Sequence, residues 1–310
     1  MLLAPEDQYI IVNYHYVQDP RPDFSGIFPC GVKEFERQIA LLTCHFTIKT
    51  LGEVFEACRS SAPGKFAAIT FDDGLKGQYY NALPVLKKYG VTATFFIITS
   101  TLNGTVPSAH KIHVFLSRAS PDWLIDAFND FIRAYYPDDA SRFFIPKDRR
   151  VSERRQHEDV KIANFKETLS AIPVDIKNKF MESAFSTIGL KESELARELF
   201  MIPAEIASLH QAGFEIGNHT DSHDAINTLG MDRLRTELRQ SQEKLKSITG
   251  RAPAVFSYPF GLANTLAFQA LEEEKFKYAV TIETRALALG DHKFMLPRFD
   301  TNDVRDGAVV

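Results

Sequence analysis

Two adjacent carboxylates are the first residues in this chain whose types and spacing could do chemistry. Asp72 and Asp73 follow the apolar run 66–71, and Gly74 comes directly after them. In α/β folds, ligand sites lie at the carboxyl ends of strands, and adjacent side chains leaving a strand point in different directions. One acid can therefore bind a metal ion while its neighbour acts as a base. The alternative is a plain turn, because Asp-Gly is a common turn dipeptide.

A pair of histidines is the second candidate. His219 and His223 follow the apolar run 214–217. Histidines at positions i and i+4 lie on one face of a helical turn, so both imidazoles can reach one ion. With a carboxylate from Asp73 the set is two His and one Asp, which leaves positions open for water and substrate, as in catalytic sites. A His pair alone can also cap or decorate a surface.

The segment 257–261, Ser-Tyr-Pro-Phe-Gly, ends a further apolar run. Pro259 removes a backbone donor, and Gly261 allows a sharp turn. Such a loop can direct the backbone N–H of Phe260 toward a bound carbonyl oxygen, although a simple strand-ending turn is the alternative. The three segments follow three separate predicted strands, and this convergence is what an active site in an α/β fold requires.

Strand and helix patterns alternate around these segments. Helix patterns at 32–46, 77–89 and 232–248 lie between the strands. This alternation predicts a parallel α/β architecture, either a barrel or a doubly wound sheet. Residues 103–200 contain no clear strand pattern and are predicted to be a mostly helical insertion within a single domain, 1–310. The predicted strands are 9–15, 66–71, 92–99, 215–218, 255–258, 278–283 and 293–299.

The composition is that of an ordinary globular protein, with 45% hydrophobic and 25% charged residues. The net charge of -4 argues against nucleic acid as a partner. The three cysteines form no close pair, so neither a disulfide framework nor a thiolate zinc site is indicated. No signal-peptide pattern or long apolar span is present, and we expect a cytoplasmic chain without a membrane span. Nothing in the composition indicates an oligomeric state.

The segments 70–74 (TFDDG), 219–223 (HTDSH) and 258–261 (YPFG), in this order, resemble the polysaccharide deacetylases with the NodB homology domain, carbohydrate esterase family 4. The resemblance covers roughly residues 9–100 and 200–300. It implies a distorted (β/α) barrel of about seven strands. It also implies a divalent metal ion, usually zinc, and hydrolysis of N-acetyl groups on amino sugars of a glycan or glycan precursor.

The resemblance assigns a role to each matching residue. Asp72 corresponds to the general base. Asp73, His219 and His223 correspond to the metal ligands. The backbone N–H of Phe260 would help to hold the oxyanion.

The arginine that braces the base in this family is absent from its usual position, where Ser257 stands. Arg298, at the end of the last predicted strand, could replace it from another direction. A buried arginine near Asp72 would keep that acid ionised, as a base must be. The alternative for Arg298 is an ordinary surface ion pair.

The general acid of the family is usually a histidine in a late Leu-x-His motif, which has no clean match here. His292 precedes the last predicted strand, at the wrong end for catalysis. His15, after the first strand, is the better candidate, and its Tyr-His element is similar to that of the poly-N-acetylglucosamine deacetylase branch. The alternative is a packed structural histidine.

Two other functions remain open at this point. Some relatives open cyclic amides or act on non-sugar amides with the same fold. A non-catalytic glycan-binding protein could also retain the fold, although it would normally lose the aspartates and histidines.

Overall fold

The computed structural model describes residues 8–153, 156 and 158–307. Contacts divide the chain into two compact units, one formed by Met1–Asp19, Pro29–Thr105 and Ala196–Val310 and the other by Pro20–Phe28 and Val106–Leu195. We call them the sheet unit and the helical unit. The prediction of a single domain with an insertion at 103–200 stays a prediction.

The strands are β1 (Gln8–Tyr14), β2 (Thr47–Ile48), β3 (Lys65–Phe71), β4 (Thr94–Ile97), β5 (Glu215–Asn218), β6 (Val255–Ser257), β7 (Tyr278–Val280) and β8 (Phe299–Asp300). The α-helices are α1 (Val32–His45), α2 (Leu51–Arg59), α3 (Leu83–Tyr89), α4 (Ser108–Arg118), α5 (Pro121–Tyr135), α6 (Ala140–Phe143), α7 (Val160–Ala171), α8 (Val174–Thr187), α9 (Glu192–Leu199), α10 (Pro203–Gln211), α11 (Met231–Thr249), α12 (Thr265–Glu273) and α13 (Thr301–Arg305). Among the described residues, no helix is long and apolar enough to cross a membrane.

The sheet unit contains one sheet in which neighbouring strands run parallel. Its order is β7-β6-β5-β4-β3-β1-β8, and β2 pairs with β3 off this path. The seven strands of the path agree with the predicted number. Because the strands are parallel, their carboxyl ends meet at one edge, and the candidate residues follow β1, β3, β5 and β6 at that edge.

Aromatic packing fixes the end of β3, from which both aspartates leave. Phe71 is fully buried and stacks on Phe95 of β4, with ring centroids 4.7 Å apart. On its other side it contacts Tyr14 of β1, at 5.5 Å. Phe35 of α1 packs edge-on against Tyr14 at 4.9 Å. Close-packed aromatic side chains leave little freedom to the backbone that follows.

The predicted strand at 293–299 is wrong in its extent. Only Phe299–Asp300 forms a strand, paired with β1. Leu296 forms a single parallel bridge with Val280 of β7. This segment therefore pairs briefly with β7 and then with β1, and Pro297 between the two contacts has no backbone N–H to continue a ladder. It links β7 to β1 and places Arg298 between them.

The helical unit contains α4 to α8 and the first half of α9, with a 3₁₀ turn at Pro22–Phe24. Pairs of phenylalanine rings form part of its core. Phe128 and Phe165 pack against Phe180 at ring-centroid distances of 5.0 Å and 6.2 Å, and Phe115 packs against Phe185 at 5.2 Å. The unit therefore has a buried core of its own.

Candidate metal centre and active site

Three buried side chains converge at the carboxyl edge of the sheet. Asp73 Oδ1 lies 3.4 Å from Nε2 of His219 and 3.6 Å from Nε2 of His223. Each residue offers one ligand atom, and these atoms all lie within 4.8 Å of one another. The side chains of Asp73, His219 and His223 are 6%, 2% and 7% exposed. The residues that the sequence grouped as ligands are therefore brought together.

The donor set fits a small divalent cation. Two ligand atoms that each bind one zinc ion at about 2.0–2.1 Å in tetrahedral geometry lie about 3.4 Å apart. The distances from Asp73 to the two imidazoles match this spacing. Two imidazoles and a carboxylate suit zinc and also other first-row divalent metals.

The backbone carrying the histidines differs from the predicted helical turn, and that prediction is wrong. Residues 219–223 form an irregular loop in which Thr220 (φ 65°) and His223 (φ 62°) are left-handed. Side chains hold this loop in place of helical hydrogen bonds. Asn218 Oδ1 accepts from Thr220 N at 2.8 Å, and Thr220 Oγ1 accepts from His223 N at 2.9 Å. Short polar side chains commonly stabilise such turns.

Side chains of helix α11 also hold the loop 219–223 in place. The buried carboxylate of Glu237 accepts the backbone N–H groups of Asp221 at 3.2 Å and Ser222 at 2.8 Å. Lys244, also on α11, pairs with Asp221 at 2.6 Å. The two imidazoles are thus positioned by contacts to a helix rather than by a helix of their own.

The orientation of His219 is set by its second ring nitrogen. Nδ1 lies 2.8 Å from the carbonyl oxygen of Ser257 at the end of β6. A proton on Nδ1 donated to this carbonyl leaves Nε2 with its lone pair facing Asp73, which is the tautomer a metal ligand needs. Burial lowers the pKa of His219, but the neighbouring carboxylates of Asp72 and Asp73 outweigh it and raise the pKa above its usual value.

Asp72 lies beside the imidazole cluster in a buried ring of donors. Arg298 binds it with both terminal nitrogens, Nη1 to Oδ1 at 2.9 Å and Nη2 to Oδ2 at 2.7 Å. Two further groups donate to Asp72 Oδ2, namely Asn13 Nδ2 at 3.2 Å and the Ser257 hydroxyl at 3.1 Å. Burial raises the pKa of Asp72, yet the charges of Arg298 and His219 and the hydrogen bonds from Arg298 lower it to about 2. Asp72 is therefore a carboxylate at neutral pH.

Arg298 is buried at 2% exposure, so it does not form the surface ion pair that the sequence left open. Its Nε donates to the carbonyl of Thr281 at 2.8 Å, and its Nη1 also donates to Asn13 Oδ1 at 2.8 Å. Its Nη2 donates to Ser257 Oγ at 3.1 Å. The guanidinium thus reaches Asp72 from the β8 side and lies next to Ser257.

His15 lies beside Asp72 on the open side of the site. Its Nε2 is 3.9 Å from Asp72 Oδ2, and its side chain is 41% exposed. This exposure does not match the alternative of a packed structural histidine. His292 instead stacks on Phe268 of α12 at a ring-centroid distance of 4.9 Å.

The loop after β6 carries Phe260 in a left-handed conformation, with φ 59° and ψ 10°. Such a conformation is costly for a phenylalanine and occurs mainly where surrounding structure enforces it, often at functional sites. The ring centroids of Phe260 and His223 lie 4.9 Å apart, and Phe260 is 38% exposed. Phe260 therefore borders the imidazole cluster.

Sequence reasoning missed Asn13, whose side chain contacts both Asp72 and Arg298. It is a polar residue, 4% exposed, that follows the buried apolar run 9–12 of β1. A buried amide must be hydrogen-bonded, so this exception to the apolar run was the available signal.

The geometry can be compared with known proteins. The family model for polysaccharide deacetylase matches residues 59–133 and 164–279, more than half of the chain. The chain belongs to the polysaccharide deacetylase family. The resemblance drawn from the three motifs is thereby confirmed.

One curated relative in this family is the poly-β-1,6-N-acetyl-D-glucosamine N-deacetylase of Staphylococcus epidermidis. It is 33% identical over 111 residues, which are 31% of this chain and 38% of that protein. The chain thus matches well under two thirds of the length of that relative. The matched segment supports membership of the family and the similarity to this branch.

Solved deacetylases share the fold of this polysaccharide deacetylase family member. Streptococcus pyogenes PplD, solved with acetate, matches with a TM-score of 0.60 at 15% identity, covering 94% of this chain and 92% of that one. IcaB from Ammonifex degensii matches with a TM-score of 0.60 at 17% identity, covering 97% and 96%. The predicted α/β class and the distorted barrel of NodB type are confirmed.

Proposed function

We propose that this chain is a metal-dependent N-deacetylase that hydrolyses N-acetyl groups on amino sugars of a glycan or glycan precursor. The observation that carries the proposal is that a cluster of possible metal ligands and an ionised carboxylate lie side by side at one edge of the sheet. Asp73, His219 and His223 offer ligand atoms within 4.8 Å of one another, and Asp72 beside them is held ionised by Arg298. Membership of the polysaccharide deacetylase family supports the same function.

The imidazoles of His219 and His223 and the carboxylate of Asp73 would hold the metal ion. When bound, a divalent cation, zinc first among the candidates, supplies a Lewis acid that polarises a carbonyl and lowers the pKa of water. Asp72 accepts the proton that the attacking water loses, because it is ionised and close to the ligand cluster. Arg298 keeps this carboxylate oriented through two parallel hydrogen bonds.

The remaining groups act on the amide as it breaks. The backbone N–H of Phe260 donates to the developing oxyanion, as preorganised donors do in acyl transfer. His15 donates a proton to the leaving nitrogen, the amide C–N bond breaks, and the products are acetate and a free amine. The position of His15, 3.9 Å from Asp72 on the open side of the site, supports this assignment.

N-acetylglucosamine oligomers are the first substrates to test, because the staphylococcal relative is named for a polymer of this sugar. Purified full-length protein is assayed for released acetate, and its metal content is measured by mass spectrometry. We expect about one metal ion per chain, acetate release that a chelator abolishes, and recovery on adding zinc. Acetate release that is insensitive to complete metal removal would refute the metal-dependent mechanism.

Two alternatives are separated by the same preparation. A hydrolase of cyclic or other non-sugar amides would bind metal and open such rings without releasing acetate from sugars. A glycan-binding protein without catalysis would bind oligomers and leave them acetylated at every metal concentration.

A further inference from the structure

A buried glutamine joins the backbone of the two residues proposed to move protons. The side chain of Gln78 is fully buried. Its Nε2 donates to the carbonyl of Asp72 at 2.5 Å and to the carbonyl of His15 at 3.1 Å. One amide group therefore connects the chain after β3 to the chain after β1.

Both hydrogens of the Gln78 amide are used on these two carbonyls. Within the described part of the chain, its Oε1 is buried and has no hydrogen-bond partner. A buried polar atom without a partner is unfavourable, so its presence requires a structural or functional reason. The Gln78 side chain therefore binds two backbone carbonyls of the site, although its own oxygen gains no hydrogen bond.

The segment 77–82, which contains Gln78, forms a turn that contacts the loop after β1, residues 15–17, at a second point. We call this loop the β1 loop. Asn81 Nδ2 donates to the carbonyl of Val17 at 2.8 Å. Gly77 approaches that carbonyl so closely that an added Cβ would lie 2.6 Å from its oxygen. Residues 15–17, which include His15, are therefore clamped from one side by the turn.

This turn is itself irregular and anchored on its other face. Gln78–Ala82 forms a π-helical turn before α3, and π turns occur often at functional sites. Tyr79 donates to Ser208 Oγ at 3.1 Å and Tyr80 to Glu205 Oε1 at 2.7 Å, both on α10. Helix α10 therefore supports the turn while Gln78 and Asn81 face the β1 loop.

We infer that Gln78, assisted by Asn81, is a positioning residue that sets the separation of His15 and Asp72. This inference rests on the proposed function, because it matters only if these two groups act on one substrate. Without the two amide contacts, the β1 loop could shift relative to β3 while the metal ligands on β3 and β5 stayed in place. A misplacement of about 1 Å in a catalytic group can cost about 100-fold in rate.

The test is a double-mutant cycle between Gln78→Met and His15→Ala. Met fills a similar volume but donates no hydrogen bond. We expect Gln78→Met to lower kcat by about 10- to 100-fold, with KM and metal content near those of the parent protein. In the His15→Ala background the same substitution should change kcat by less than about twofold, since a group that acts through His15 has no effect once His15 is gone.

Tyr79→Phe is the matched control. It removes one hydrogen bond from the same turn, on the face toward α10, and should keep kcat near the parent value. If Gln78→Met does not fold, Asn81→Ala takes its place in the cycle with the same expected loss of additivity.

The outcomes distinguish a failure of the positioning role from a failure of the proposed function. The positioning role alone would be overturned if the reductions in kcat caused by Gln78→Met and His15→Ala multiplied in the double variant. It would also be overturned if Gln78→Met left kcat unchanged while His15→Ala lowered it. A parent protein that releases no acetate, or a His15→Ala variant with full turnover, would instead refute the proposed function or its general acid.

Discussion

Asp72 and Asp73 are neighbours in sequence, yet they lie in opposite chemical surroundings. Asp72 is held by four hydrogen bonds from Arg298, Asn13 and Ser257. Asp73 faces the Nε2 atoms of His219 and His223. A ring of donors stabilises a fixed anion, whereas two imidazole nitrogens beside a carboxylate form a donor set suited to a divalent metal ion.

The backbone explains how adjacent residues reach these two places. Asp72 continues the pairing of β3, with its N–H donating to the carbonyl of Tyr14 at 3.0 Å. Asp73 is left-handed, with φ 77°, so the chain turns sharply between the two side chains. Aspartate tolerates this conformation better than most residues. One strand end can therefore supply both a base and a ligand.

The strongest test of this comparison is Asp73→Ala. Loss of a ligand should remove the metal ion, and activity should fall by about 10³-fold or more, since metal catalysis supplies several kcal/mol. Metal content and acetate release are measured on the same preparation. A variant that keeps stoichiometric metal would show that Asp73 is not a ligand.

Asp72→Asn should separate the two roles. The loss of a general base costs about 10²- to 10⁴-fold in rate, while the imidazoles and Asp73 should retain the metal ion. Circular dichroism checks the fold, because Arg298 loses its carboxylate partner. Full turnover by this variant would show that the base is another group.

Arg298→Met tests whether the Asp72 side depends on a buried ion pair. Removing one partner of a buried pair costs about 3–5 kcal/mol of unfolding free energy. The matched control is Arg133→Met, because Arg133 pairs with Asp130 at 2.7 Å and the two side chains are 58% and 73% exposed. Exposed pairs are worth about 0–1 kcal/mol. The free energy of unfolding of both variants is measured in urea. Equal losses would show that burial of the ion pair does not explain its contribution.

Ser257→Ala should have the smallest effect. It removes one of the four hydrogen bonds to Asp72 and the one from Arg298 Nη2 to Ser257 Oγ, but it leaves both bonds from Arg298 to Asp72, so we expect a loss of about 0.5–1.5 kcal/mol in stability. The backbone carbonyl that orients His219 remains, and metal content should be unchanged. A rate loss as large as that of Asp72→Asn would show that Ser257 itself takes part in the reaction.

Local patterns in the sequence predicted much of this molecule. Apolar runs located most strands, because a strand buried on both faces must be apolar throughout. The positions of Asp73, His219 and His223 after β3 and β5 followed from the same reasoning, since parallel strands bring their carboxyl ends together. The predicted helices at 32–46 and 232–248 agree with α1 and α11 to within a residue at each end.

Other features depend on contacts between residues far apart in the chain. Arg298 reaches Asp72 across 226 positions, and only the closing of the sheet between β7 and β1 decides that it is buried there. The loop of His219 and His223 is irregular because Glu237 and two short polar side chains hold it, which the i, i+4 spacing does not reveal. Asn13 and Gln78 likewise acquire their roles only when β1 and β3 pair. Periodicity reports which face of an element is apolar, whereas polar networks form across elements, and their partners are set by tertiary structure.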